Sequence, residues 1–215
     1  MFEIVRSKEV SIQYDFVAIG NIIDKAGVAR HSGFVIKYGE QFFDFDFNGS
    51  LIEFKPLSKE YFHIYTATIS PNEVPSFIAQ CKNILKKANP QFGYFYSGES
   101  YDPAGNHHSN SPFGEAMTCV GFCLNVLKEF LDTDYIQYED WTDKNIYHSD
   151  WLWDYVRIHG IDEALVRREY RRISPIELLA SAFFNQLPIS KKSIDSKIGY
   201  IEDYFKRKAS VSGKK

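Results

Sequence analysis

The stretch from Arg30 to Phe47 leaves this chain the fewest choices. His31-Ser32-Gly33-Phe34-Val35-Ile36-Lys37-Tyr38 reads as a strand, and Gly39-Glu40 as a tight turn. Gln41-Phe42-Phe43-Asp44-Phe45-Asp46-Phe47 then returns as a second strand. Strand side chains alternate between faces, so Phe43, Phe45 and Phe47 point one way and Asp44 and Asp46 the other. In a two-residue turn Tyr38 pairs with Gln41, which sets His31 opposite Asn48. A bulge is then needed to bring Asp44 alongside His31. The hairpin predicts an antiparallel sheet with an apolar face that a helix must cover.

The covering helix is predicted from Met117 to Leu131. Val120, Cys123, Leu124, Leu127 and Leu131 recur at helical spacing. Thr118 is a good N-cap, which sets Cys119 in the first turn. Free backbone N–H groups and the positive end of the helix dipole favour a thiolate there, and the same donors can hold an oxyanion. A helix-start thiol facing a histidine and an acid on paired strands is the logic of Cys-His-acid catalysis. Cys123 and Cys81 lie on apolar helix faces and read as core.

Elsewhere the pattern is one of short strands, then helices. Phe16 to Ile23 is apolar and leads into the histidine strand. Asn48-Gly49 marks another turn before Leu51–Phe54, and Tyr61–Ile69 is a further strand, giving a meander of about five. Ser70-Pro71-Asn72-Glu73 is a capping box opening a helix that ends before Asn89-Pro90. Gly98 to Gly114 reads as loop, in which His107-His108 and Asp102 lack the spacing of a metal site. Helical patterns follow at 151–158, at 162–172, from a second capping box at Ser174-Pro175-Ile176-Glu177, and at 193–208. Trp141, Trp151, Trp153 and Tyr155 read as packing of these helices on the core, or as the lining of an apolar acyl pocket. Arg167 to Arg172 reads as an exposed helix face.

Composition narrows the class. A net charge of −3 gives no reason to expect nucleic-acid or anionic-membrane binding. Three cysteines do not suggest a disulfide framework, and no apolar run reaches the roughly 20 residues of a membrane span. The charged start, Met1 to Glu9, is not that of a signal peptide, so a cytoplasmic location is expected.

Several motifs carry a family resemblance. Thr118-Cys119-Val120-Gly121-Phe122 resembles the D-C-S-G-F nucleophile motif of NlpC-type papain-like cysteine peptidases. His31-Ser32-Gly33-Phe34-Val35, with Tyr38-Gly39, is similar to that superfamily's H-V-G-I-Y strand, and Gly93 to Gly98 to its P-Y-x-x-G-G segment. Histidine precedes cysteine here, which is the order of the circularly permuted branch that includes lecithin:retinol acyltransferase-like enzymes. Val120 departs from the family's common serine, and Asn21 stands where permuted relatives usually have aspartate.

The resemblance implies an α+β papain-like fold. Its core would span 1–135, followed by a helical extension over 136–208 and a disordered tail over 209–215. It implies a thiol hydrolase acting on an amide or ester, with lipid or thioester acyl transfer and a non-catalytic binding module as alternatives. Cys119 would be the nucleophile, His31 the base, and Tyr94 an oxyanion-side hydroxyl. The orienting residue lies about a dozen positions after the histidine in that family, and Asp44 is 13 after His31, with Asp46 or Asn48 the other choices. The expected partner is a peptide, isopeptide or lipid acyl substrate, with no metal and no organic cofactor.

Overall fold

The computed structural model describes residues 3–7, 9, 13–93, 98–109, 111, 114–142 and 150–212. Within them the fold is α+β: an open antiparallel sheet against helices. Its strands are β1 (Val5–Arg6), β2 (Phe16–Ile23), β3 (Ala29–Tyr38), β4 (Gln41–Phe47), β5 (Ile52–Pro56) and β6 (Phe62–Tyr65). They run in the order β1-β6-β2-β3-β4-β5, so the expected meander holds only from β2 to β5. β6 returns across the sheet to pair with β2, from Ala18↔Tyr65 to Asn21↔Phe62. That pairing covers the edge of an almost entirely buried strand, which water would otherwise have to solvate.

The predicted β3–β4 register is the observed one: Tyr38↔Gln41 through Phe34↔Phe45, without a shift. The irregularity lies instead on the other side of β3, between Ile22↔His31 and Ile23↔Ala29. One face of the sheet, carrying Val17, Ile19, Phe34, Ile36, Phe45 and Phe47, forms the main core with the helices.

Helix α1 (Val74–Lys87) follows a short 3₁₀ turn at Pro71–Glu73, where the Glu73 carboxylate accepts from the Ser70 N–H at 2.7 Å. Its Phe77 meets Phe34 with ring centroids 5.2 Å apart. Helix α2 (Cys119–Leu131) sets Phe122 against Phe45 and Phe47, at 5.2 and 6.0 Å.

Between these helices the described residues form four two-residue strands: β7 (Gln91–Phe92), β8 (Ser100–Tyr101), β9 (His107–His108) and β10 (Ala116–Met117). The 98–114 segment is therefore not simply a loop, because β8 pairs with β9. It is tied to α2 by the buried Glu99 carboxylate, which accepts from Asn125 Nδ2 at 3.1 Å. His108 bonds Asp102 at 3.0 Å, and His107 packs against the Tyr101 ring.

Among the described residues four α-helices follow: α3 (Asp150–Ile158), α4 (Glu163–Glu169), α5 (Pro175–Ser181) and α6 (Lys191–Ser212). Helix α6 runs to Ser212, past the predicted boundary at 208, so 209–212 are helical rather than disordered. Leu178, Leu179, Ile194, Ile201 and Phe205 belong to the same core as the sheet, whereas α3 and α4 close a small cluster of their own. Trp141 is buried in the main core and Trp153 packs on the small cluster; the Trp151 side chain lies outside the described residues. Among the described residues no helix is long and apolar enough to cross a membrane.

Candidate active site

Cys119 opens α2, as its sequence context predicts. Thr118 takes an extended conformation and its Oγ1 accepts the Gly121 N–H at 3.1 Å. Immediately upstream, β10 lies parallel to β7, and the Gly93 N–H donates to the Met117 carbonyl at 3.0 Å. The two chains approach so closely that a Cβ on Gly93 would lie 2.6 Å from the Ala116 Cβ. This contact fixes the chain direction into the helix. The thiol is half-buried, while Cys81 and Cys123 are fully enclosed. Burial pushes both of those thiols well above the ordinary range, which takes them out of consideration as nucleophiles.

His31 lies between Cys119 and an acid, with 19% of its side chain exposed. Its Nε2 bonds Asp46 Oδ2 at 2.9 Å. That leaves Nδ1 as the ring nitrogen for the thiol. Burial alone would lower the His31 pKa. Its hydrogen bonds to Asp46 and Cys119, together with their charges, override that and raise it to about 9.

The acid at His31 is Asp46, not Asp44, and this corrects the expected triad geometry. Asp44 pairs with Val35, four residues along the strand from His31. Among the described residues neither of its buried carboxylate oxygens has a hydrogen-bond partner, and burial pushes it up to about 6, with the neighbouring Asp46 charge adding to the rise. Asn48 does not reach His31 either, since its Oδ1 accepts the Ser50 and Leu51 N–H groups at 3.0 Å and holds its own turn. No bulge between β3 and β4 is needed for Asp46. Extending the register one pair places Gly33 opposite Asp46, and His31 reaches it on the diagonal across that glycine. A Cβ at Gly33 would lie only 2.7 Å from the Asp46 Cβ.

Three donors converge on Asp46 Oδ2: His31 Nε2, Lys59 Nζ at 2.6 Å and the Tyr61 hydroxyl. Lys59 also bonds Glu53 at 2.8 Å, which fixes the ammonium. Burial opposes ionisation of Asp46, but the bonds from His31, Lys59 and Tyr61 outweigh it and hold the carboxyl down at about 2. Tyr61 reaches Asp46 by lying across the sheet over Gly20 and Gly33, which are paired across β2 and β3. Lys59 and Tyr61 were not expected from the sequence. Glycines paired beneath an aromatic residue are the signal that points to them.

The thiol opens into a cavity of about 260 Å³, lined by Phe92 and Gly93 on one side and by Arg171 to Pro175 on the other. Larger clefts of about 800 and 670 Å³ lie around Tyr14 and beside Lys208, away from the thiol. Neither Trp141 nor Trp153 lines the thiol's cavity. Tyr94, the expected oxyanion-side hydroxyl, lies outside the described residues.

No family model, curated protein or solved structure matches this chain. A half-buried thiol at a helix start has a histidine beside it and a clamped, ionised carboxylate behind the histidine, which is the arrangement a nucleophile, a proton carrier and its anchor require.

Proposed function

We propose that this protein is a thiol hydrolase that cleaves an amide or ester bond through an acyl-enzyme, on a circularly permuted NlpC-type papain-like core. The observation that carries the reading is the position of His31, bonded to Asp46 through Nε2 and flanked by the Cys119 thiol. The proton of the thiol passes to His31, and the sulfur attacks the carbonyl carbon. The imidazolium so formed is held by Asp46, whose charge Lys59 and Tyr61 keep in place. First-turn N–H groups of α2 stabilise the tetrahedral oxyanion. As it collapses, the C–N or C–O bond breaks and His31 protonates the leaving group. Water, deprotonated by His31, then attacks the thioester and regenerates Cys119.

The test is an electrophilic thiol probe read by site-resolved mass spectrometry, followed by turnover on peptide, isopeptide and ester reporters. Labelling is expected at Cys119, falling sharply in His31→Ala while circular dichroism stays unchanged. Turnover should vanish in Cys119→Ala. Equal labelling of Cys119 with and without His31, or wild-type turnover in Cys119→Ala, overturns the reading.

A further inference from the structure

The wall of the Cys119 cavity is built from Arg171 to Pro175, the segment joining α4 to α5. Arg171 is half-buried and its guanidinium is fixed: Nε donates to the Tyr138 carbonyl at 3.2 Å and Nη1 to the Tyr170 carbonyl at 2.9 Å. These partners are neutral, so they orient the charge without cancelling it. Arg172 is exposed at the same wall, and among the described residues neither guanidinium has a carboxylate partner. The third arginine at the mouth, Arg30, differs in that its Nε is bonded to Asp24 at 2.8 Å. Two guanidiniums with no carboxylate partner among the described residues, beside the Cys119 thiol in a chain of net charge −3, concentrate positive potential at the mouth of the cavity.

We infer that the Cys119 site takes an acyl donor carrying a carboxylate beside its scissile carbonyl, seated on Arg171 and Arg172. The inference rests on the thiol-hydrolase reading and adds the substrate class. A guanidinium presents paired donors in a planar fork that matches a carboxylate, and an orientation fixed beforehand lowers the cost of binding. The cavity, at about 260 Å³, is below the usual range for drug-sized ligands and suits a single residue-sized group. Phe92 and Ile173 offer apolar contact to the stem of such a group, as in an acidic side chain or a terminal carboxylate.

The experiment compares two affinity labels, N-chloroacetyl-glutamic acid α-amide and its neutral glutamine isostere, with iodoacetamide as the uncharged reference. Labelling rates at Cys119 are read by mass spectrometry in the wild type, Arg171→Gln, Arg172→Gln and Arg171→Lys. The acidic label is expected to react about tenfold faster than its isostere in the wild type. That preference, taken as a ratio to the iodoacetamide rate of the same variant, should shrink in both glutamine variants and partly return in Arg171→Lys. Equal rates for the two labels, or a preference that survives both glutamine substitutions, overturn the carboxylate inference and leave the thiol-hydrolase reading standing. If iodoacetamide labelling of Cys119 does not depend on His31, the underlying reading fails and the inference with it. Arg172 makes no bond within the described fold, so its variant remains informative even if Arg171→Gln is unstable.

Discussion

Asp46 is the residue on which the proposed chemistry turns, because one of its oxygens accepts from His31, Lys59 and Tyr61 together. Asp46→Asn is expected to lower turnover by about 10⁴, the scale seen when a triad histidine loses its orienting carboxylate. Asp44→Asn and Asn48→Ala should each change it little, since neither side chain touches His31. The pH profile supplies a second reading of the same experiment. His31 has its pKa raised to about 9, so its imidazolium form is present through neutrality and lost as pH rises through that value. The alkaline limb should therefore lie near pH 9 in the wild type and move to lower pH in Asp46→Asn. A limb that stays put would show that Asp46 does not support the charge on His31. The sequence made Cys119 and His31 legible because each sits in a local pattern, a capped helix start and a strand start. It also made the β3–β4 register legible. It does not single out Asp46: the family spacing points to Asp44, and the position directly across the ladder from His31 is Asn48. The contact runs diagonally, over the one position where a missing side chain opens the way, and that position is Gly33.

Among the elements, the paired glycines of β2 and β3 do what no side chain there could do. A Cβ on Gly20 would come within 2.9 Å of the Tyr61 ring, and one on Gly33 within 3.1 Å of its hydroxyl. Gly33→Ala should therefore displace both Tyr61 and Asp46, costing about 1–3 kcal/mol as an overpacked site does. At this chain length that is about 2–4 °C of melting temperature per kcal/mol. Turnover should drop well beyond what the stability loss explains. Gly39→Ala is the control: Gly39 has a φ of +58° in the β3–β4 turn, and a Cβ there meets nothing within 4 Å. Its cost is backbone strain alone, so a similar stability loss with normal turnover is expected. Retained turnover in Gly33→Ala would mean that the Asp46 clamp is dispensable. Elements of this kind were partly foreseeable. The turns at Gly39 and Asn48 and the capping boxes at Ser70 and Ser174 are local codes, and each appears where the sequence puts it. The return of β6 to β2 is decided by which strand edge needs covering, and no window of the sequence records that.

At the scale of the whole molecule, the sheet and the C-terminal helices are fastened together at Asn21. Its Nδ2 donates to the Pro175 carbonyl at 2.8 Å, and its Oδ1 accepts from Ser32 Oγ at 3.0 Å; the Asn21 and Ser32 side chains are fully enclosed and Pro175 is half-buried. The bond joins β2 to the first residue of α5, next to the wall that carries Arg171 and Arg172. An ionised carboxylate has no proton to offer Pro175 and would stand buried against a carbonyl oxygen. Asn21→Asp preserves shape and changes only that. At pH 7.5 it is expected to cost about 3 kcal/mol, the penalty of a buried polar group stripped of its partner and charged. With the same scaling that is a fall of about 6–12 °C in melting temperature. The introduced carboxyl would have its folded-state pKa raised above its unfolded value of about 3.9 by burial. Its stability is thus retained below the unfolded pKa and lost as pH rises through the folded one. Protonated, the acid can again donate to Pro175, so the deficit against wild type should shrink between pH 7.5 and pH 5. Melts of both proteins at the two pH values, with the carboxylate-label preference measured in parallel, decide the matter. An unchanged melting temperature at pH 7.5 would show that the seam is held elsewhere. A deficit equal at both pH values would show that charge at this position is not its cause.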